Sequence, residues 1–366
     1  MATLRVFLAF IAALVGMLLV APVAVVWFCF EAVAYLTKQG SRLFEARVIP
    51  SNELIEFAPT IGWKPKANLD AHYLTLVKDG VFHTVTDSQG WPDKINICDS
   101  NVVVFGDSYA FGYGVDAHAT FWRHTNGIQI KAIGAPGYNM VQEMLLMKQH
   151  ASEFKGKLVI WFIYFGNDLY DNLVPNNQHY RTPFVRKTSH AGDWQVTTEH
   201  VSPERWPNRA DPQYYERLAE ICSATMLSER AYSACEFLIT EAKKICVQAE
   251  AKLVLMTIPD AIQLTPQGRE KLANSASDRG SFDAELPDKK ISEIALKLGL
   301  SVVALKDHLS AKDYKERDPH WNERGHQRVA NVIGQVWRDM ALQPGRAQTN
   351  EEPADGFLAT KIPGSL

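Results

Sequence analysis

Five short strand-like runs, at residues 102–105, 129–133, 158–163, 253–258 and 301–305, alternate with stretches of helical periodicity, and this alternation constrains the fold more than any other feature of the chain. The helical stretches fall at 138–153, 217–248, 288–297 and 323–340. A run such as Val102-Val103-Val104-Phe105 has no polar alternate, so a strand made of it must be covered on both faces. Strands of that kind separated by helices predict an α/β domain of three layers, α/β/α, around a parallel sheet. In such a sheet the carboxyl ends of the strands open into loops, and ligands and reacting side chains gather there.

The first run ends on Gly106-Asp107-Ser108. Three further segments follow in order: Gly134-Ala135-Pro136-Gly137, Phe165-Gly166-Asn167-Asp168 and Asp318-Pro319-His320-Trp321-Asn322. A serine hydroxyl is a weak nucleophile and needs a base within hydrogen-bond reach, with a third group to fix the tautomer of that base. His320 and Asp318 are the residue types for those tasks, and only folding can bring them to Ser108. An attacked acyl carbonyl becomes an oxyanion that needs donors aimed at it. Gly137 lacks a Cβ and lets the backbone approach a substrate; Asn167 carries an amide that donates at neutral pH without titrating. Each segment alone also has a structural reading. Gly137 suits a turn after Pro136, Asn167-Asp168 suits a cap at a strand end, and Asp318-Pro319-His320 suits a loop before a helix capped by Asn322. Four such features in this order, each at an element boundary, point instead to one site.

Together these segments resemble the SGNH hydrolase superfamily, the GDSL-type esterases and lipases, whose members carry a Ser, a Gly, an Asn and a His in four separated blocks. The resemblance covers roughly residues 100 to 340. It implies a flavodoxin-like arrangement of the sheet, a nucleophile at Ser108, and a His320 base oriented by Asp318. The implied oxyanion hole is made of the Ser108 and Gly137 backbone N–H groups and the Asn167 side-chain amide. One segment departs from the family pattern. Many members separate the Asp and His by two residues, whereas here only Pro319 intervenes and Trp321 follows directly. That spacing resembles the Asp-x-His-Trp arrangement of SGNH-like proteins that O-acetylate bacterial exopolysaccharides such as alginate. It moves the expected substrate from a simple lipid toward acetylated sugars.

The remaining sequence sets boundaries. From Val6 to Phe30 no charged residue occurs, a length that spans a bilayer as a helix, and residues 1–38 are expected to form a transmembrane anchor. A cleaved secretory signal ending near Ala21-Pro22-Val23-Ala24 is the alternative. Arg5 precedes the run while Lys38, Arg42 and Arg47 follow it, a count that favours a cytoplasmic domain. The resemblance favours a single-pass protein of the inner membrane with its domain on the outer, periplasmic side, and this is the expectation adopted. Residues 39–100 read as a β-rich prelude with a hairpin at Asp79-Gly80, packed on the edge of a catalytic domain at 101–342. An insertion at about 169–212 has no clean periodicity and reads as a lid or recognition segment, with Tyr164, Tyr170, Tyr180 and Trp194 suited to sugar faces. Residues 343–366 read as a mobile tail.

Cys29 lies in the apolar run, and Cys98, Cys222, Cys235 and Cys246 fit two disulfides or four thiols equally well. They show no metal-ligand spacing, no phosphate-binding loop is present, and the net charge of −3 lacks a basic run, so neither cofactor, metal nor nucleic acid is expected. The expected activity is that of a membrane-anchored serine esterase or acyltransferase acting on ester groups, above all O-acetyl groups, of a glycan or glycolipid. The alternative is a non-catalytic subunit that keeps the fold and docks a membrane protein complex.

Overall fold

The computed structural model describes residues 48–125, 127–175, 179–189, 192–205 and 213–341. The expected anchor at 1–38 and tail at 343–366 lie outside the described residues. Among the described residues no helix is long and apolar enough to cross a membrane.

The chain first lays down β1 (Val48–Pro50), β2 (Ile55–Ala58), β3 (Gly62–Pro65), β4 (Asp70–Leu74) and β5 (Val81–Val85). β2 and β3 form one hairpin, and β1, β4 and β5 form a three-stranded sheet in the order β1-β4-β5. The Asp79-Gly80 hairpin exists, but its first strand ends at Leu74 rather than continuing to Val77. Residues 75–80 instead make the turn, with Lys78 at φ 57° and the Thr75 hydroxyl donating to the Asp79 carboxylate. Side-chain bonding of this local kind competes with the ladder. The prelude has no separate core. Its Leu54, Ile55, Trp63, Tyr73 and Trp91 belong to the same buried cluster as the central strands.

The central sheet has five parallel strands: β6 (Val102–Gly106), β7 (Ile130–Gly134), β8 (Leu158–Tyr164), β11 (Lys252–Ile258) and β12 (Ser301–Ala304). Their spatial order is β7-β6-β8-β11-β12, the 2-1-3-4-5 order of flavodoxin-like sheets, so that expectation holds. The order reverses between β6 and β8, and ligands bind at such a point beyond the carboxyl ends. Side chains alternate between the two faces. Val103, Phe105, Val159 and Trp161 pack with Met144 and Met147 of one helix and Leu238 of another, while Val102, Val104, Ile160 and Phe162 pack with Val329, Ala330 and Ile333.

The helices are α1 (Ser108–Phe111), α2 (Met140–His150), α3 (Asp168–Asp171), α4 (Tyr214–Ile221), α5 (Met226–Gln248), α6 (Pro266–Ala273), α7 (Leu286–Lys297) and α8 (Glu323–Ala341). The continuous helix expected over 217–248 is two helices. The break falls where the Thr225 side chain accepts from the Ser228 N–H and opens α5 with a capping box, so a cap overrides an unbroken apolar period. The insertion contains an antiparallel hairpin, β9 (Phe184–Lys187) with β10 (Trp194–Thr197), that the lack of periodicity did not suggest. Cys98, Cys222, Cys235 and Cys246 are free thiols, which selects one of the two readings left open by the sequence.

Candidate active site

Ser108 follows β6 directly. The Asp107 carboxylate accepts the Tyr109 N–H at 2.9 Å, and this cap starts α1 on the serine. Gly134, at the end of β7, is required beside it: a Cβ there would stand 2.3 Å from the Gly106 carbonyl oxygen and 2.8 Å from that of Asp107. Backbone cannot yield as a flexible side chain can, so β7 approaches the nucleophile turn only through a glycine.

The loop before α8 brings the base to the serine. His320 Nε2 lies 2.7 Å from Ser108 Oγ. Asp318 Oδ1 accepts the His320 backbone N–H at 2.9 Å and also pairs with the ring Nδ1. One carboxylate oxygen therefore serves both the backbone and the ring of the residue two positions on. This is how a spacing with only Pro319 between them suffices to orient the imidazole. With the proton held on Nδ1 by the carboxylate, Nε2 presents a lone pair to the serine hydroxyl. The hydroxyl's other acceptor, Asp107 Oδ2, is farther away at 3.3 Å. Asn322 caps α8 by accepting the Gly325 N–H at 3.1 Å, so the capping half of the structural reading is also true.

Burial alone would push His320 down, but the charge and hydrogen bond of Asp318, with help from Asp107, hold its pKa above the ordinary value of 6.5 against an opposing Lys315. Burial likewise opposes ionisation of Asp318, yet the charge of His320 and its two hydrogen bonds bring that carboxyl down to about 2. The Tyr109 ring lies 5.1 Å from the imidazole and the Tyr113 ring 4.9 Å, and Tyr109 Oη donates to the Pro319 carbonyl at 2.6 Å. Lys315 donates to the Gly114 carbonyl at 3.1 Å, pairs with Asp79 at 2.7 Å, and its backbone N–H bonds the His320 carbonyl at 3.0 Å. Neither tyrosine nor Lys315 stood out in the sequence. The only signal was their closeness in the chain to Ser108 and His320.

Gly137 and Asn167 are brought together. Gly137 sits at φ 77°, a left-handed conformation that glycine adopts without strain. Asn167 Nδ2 donates to the carbonyl of the next residue, Tyr138, at 2.8 Å. Asn167 stands at the N-cap of α3, but its side chain makes no cap bond there. The same amide reaches Asp168 Oδ1 at 3.1 Å. Burial above all lifts the pKa of Asp168 well above the usual carboxylate range. A neutral acid is the weaker acceptor, so the second amide hydrogen is the one more easily given up to a substrate. Because β6 and β7 pair Gly106 with Gly134, and β8 lies on the other side of β6, Ser108, Gly137 and Asn167 all leave the same carboxyl edge.

Three of the aromatics expected to face a sugar are buried. Tyr164 is hydrogen-bonded to Asp260 at 2.7 Å, Tyr180 packs on Phe57 at 5.3 Å, and Trp194 donates to Ser233 at 3.0 Å. Tyr170 is half-buried with the Arg217 guanidinium 4.8 Å over its ring. The sugar-stacking expectation is therefore corrected for Tyr164, Tyr180 and Trp194, whose rings are inside the fold. Among the described residues no group of three or more His, Cys, Asp and Glu side chains is arranged to hold a metal ion.

A serine paired with an imidazole, which is in turn paired with a buried carboxylate, thus stands at the switch point of a 2-1-3-4-5 parallel sheet. Solved structures similar to this chain include a lipolytic protein of the G-D-S-L family from Veillonella parvula, at 11% identity and TM-score 0.37, covering 65% of this chain and 97% of its own. A carbohydrate acetylesterase from Sinorhizobium meliloti matches at 12% identity and TM-score 0.38, covering 67% and 100%. An inhibitor-bound aryl esterase from M. smegmatis matches at 9% and 0.39, covering 66% and 99%. These likenesses are of fold alone. No protein-family model and no curated protein sequence matches the chain.

Proposed function

We propose that the protein is a serine esterase or acyltransferase of the SGNH type, acting on O-acetyl groups of a glycan or glycolipid. The observation that carries this reading is the 2.7 Å contact of His320 Nε2 with Ser108 Oγ, made by an imidazole whose Nδ1 is held by Asp318. Ser108 Oγ attacks the acyl carbon while its proton passes to His320 Nε2. The oxyanion is met by the N–H groups of Ser108 and Gly137 and the amide of Asn167, each such donor contributing about 2.7–4 kcal/mol. Collapse expels the alcohol oxygen, which takes the proton from His320 and leaves the acyl group on Ser108. Water or a sugar hydroxyl then attacks that acyl group, giving its proton to His320, and collapse of the second tetrahedral intermediate expels Ser108 Oγ, which takes that proton back from His320 Nε2.

The acetylated-glycan substrate is supported by the Asp318-Pro319-His320-Trp321 spacing and by an uncharged run at 6–30 long enough to anchor the chain in a membrane. In this reading residues 1–38 anchor the protein in the inner membrane, and the catalytic domain at 101–342, with its prelude at 39–100, works on the outer side. Acetate release from an O-acetylated polysaccharide, compared between wild type and Ser108→Ala, tests the activity. Acetyl transfer to an added oligosaccharide separates transferase from hydrolase. A folded wild type that neither releases nor transfers acetyl leaves the non-catalytic, complex-docking reading in its place. Protease added to spheroplasts should digest the domain, and protection would place it in the cytoplasm.

A further inference from the structure

Besides the Asp79–Lys315 pair, the prelude meets the site at the Gly137 turn. Trp63 of β3 is fully buried, and its indole N–H donates to the Pro136 carbonyl at 3.1 Å. The carbonyl of the same Trp63 accepts the Tyr138 hydroxyl at 2.7 Å. Pro136 and Tyr138 are the two neighbours of Gly137. The Tyr138 carbonyl is taken by Asn167 at 2.8 Å, and one turn into α2 the Gln142 amide donates to the Ile61 carbonyl at 2.6 Å. The Trp63 and Tyr138 rings also pack at 5.9 Å. Gly137 is thus held from both sides: the Tyr138 N–H closes the turn on the Ala135 carbonyl at 3.2 Å, and two of the side-chain bonds on its neighbours come from a single residue more than seventy positions earlier.

We propose that Trp63 is a positioning residue for the oxyanion hole, and that the prelude is part of the catalytic apparatus because it fixes the Gly137 N–H. A glycine at positive φ has no side chain to anchor it, so its amide direction is set by what holds the flanking carbonyls. A preorganised donor is effective only if it does not have to reorient as charge develops. Removing the indole N–H frees the Pro136 carbonyl and lets the Gly137 peptide rock. The cost appears where the oxyanion forms and not where the ground-state substrate binds.

This inference rests on the serine esterase reading, and the experiment separates the two. Trp63→Phe keeps an aromatic ring and loses the donor. Tyr138→Phe loses the other Trp63 bond. Trp91→Phe is the control: it is an equally buried prelude tryptophan whose indole N–H has no partner among the described residues. Turnover of a small acetyl ester is measured per active site titrated with a fluorophosphonate, so that loss of folded protein does not count as loss of kcat. The expected result is a kcat about tenfold lower for Trp63→Phe, a fraction of the 10²–10³ for a whole donor. KM should stay within about twofold, Trp91→Phe should match wild type, and inhibition by an alkyl boronate should weaken in proportion to kcat/KM. If Trp63→Phe matches Trp91→Phe while Ser108→Ala is dead, the positioning role is overturned and the esterase reading stands. If wild type shows no turnover that depends on Ser108, both fall.

Discussion

Replacing Asp318 by Asn tests how the base is held, and the structure gives the size of the effect. Asp318 Oδ1 pairs with His320 Nδ1 and accepts the His320 N–H at 2.9 Å, and the side chain is only 4% exposed. Asn is nearly the same size, so the loop and its packing survive. Two things are lost: the negative charge, and the demand that the proton sit on Nδ1. An amide can turn its NH₂ to the ring, which leaves the proton on Nε2, facing Ser108, where it blocks proton transfer. Loss of the correct tautomer costs about 10⁴ in kcat, or about 5 kcal/mol at 1.36 kcal/mol per decade. The pH profile should move as well. In wild type the base must be neutral to act, and its pKa lies above 6.5, so the acid limb of kcat/KM lies above 6.5 too. Without Asp318, burial and Lys315 both push the imidazole down, and the residual activity should extend to lower pH. The assay is acetyl-ester turnover from about pH 5 to 9 with circular dichroism as a folding control. A folded Asp318→Asn variant within about tenfold of wild type, with an unmoved acid limb, would refute the assignment.

Other consequences follow from the same contacts. Asn167→Ala should lower kcat about 10²–10³-fold with little change in KM while Ser108 still reacts with a fluorophosphonate; unchanged turnover would remove Asn167 from the hole. The depressed pKa of Asp318, about 2 against 3.8, stabilises the fold above pH 3.8 by about 2 kcal/mol, and chemical denaturation should show this lost as pH falls toward 2. Glu143 is fully buried, accepts the Trp161 N–H at 2.6 Å, and is held protonated first by burial and then by Asp107. Its folded pKa is raised, so its contribution is present at acid pH and lost as pH rises. Glu143→Gln should therefore melt above wild type at about pH 9 and not at about pH 5. Gly134→Ala, meeting backbone oxygens at 2.3 and 2.8 Å, should destabilise the fold by about 1–3 kcal/mol and slow Ser108 labelling.

What was legible in the sequence was what local chemistry dictates. Val102 through Phe105 are apolar at every position, and only a strand covered on both faces accommodates that, so the central sheet and its helices were readable. Ser108 and His320 were readable because their chemistry is uncommon and their blocks fall at element ends. Harder to see was anything decided by contacts distant in sequence. The break before α5 depends on the Thr225 cap, which is invisible to an apolar period running through it. Tyr164, Tyr180 and Trp194 look the same in sequence whether they face solvent or are buried, and the structure buries all three. The part the prelude plays at the site is not visible in its own residues. Its Trp63 is completed by Pro136 and Tyr138, and its Asp79 by Lys315, so its role appears only when strands far apart in the chain are side by side.

The central claim is that Ser108 is an activated nucleophile, and covalent labelling tests it most directly. Full-length protein is incubated with a fluorophosphonate, digested, and the adduct located by peptide mass. The account predicts one adduct, on Ser108, formed in wild type and in Asn167→Ala, and lost in Ser108→Ala and in His320→Ala that retain the native circular dichroism spectrum. An adduct undiminished in Ser108→Ala, or a folded wild type that takes no label at any pH from about 6 to 9, would contradict it.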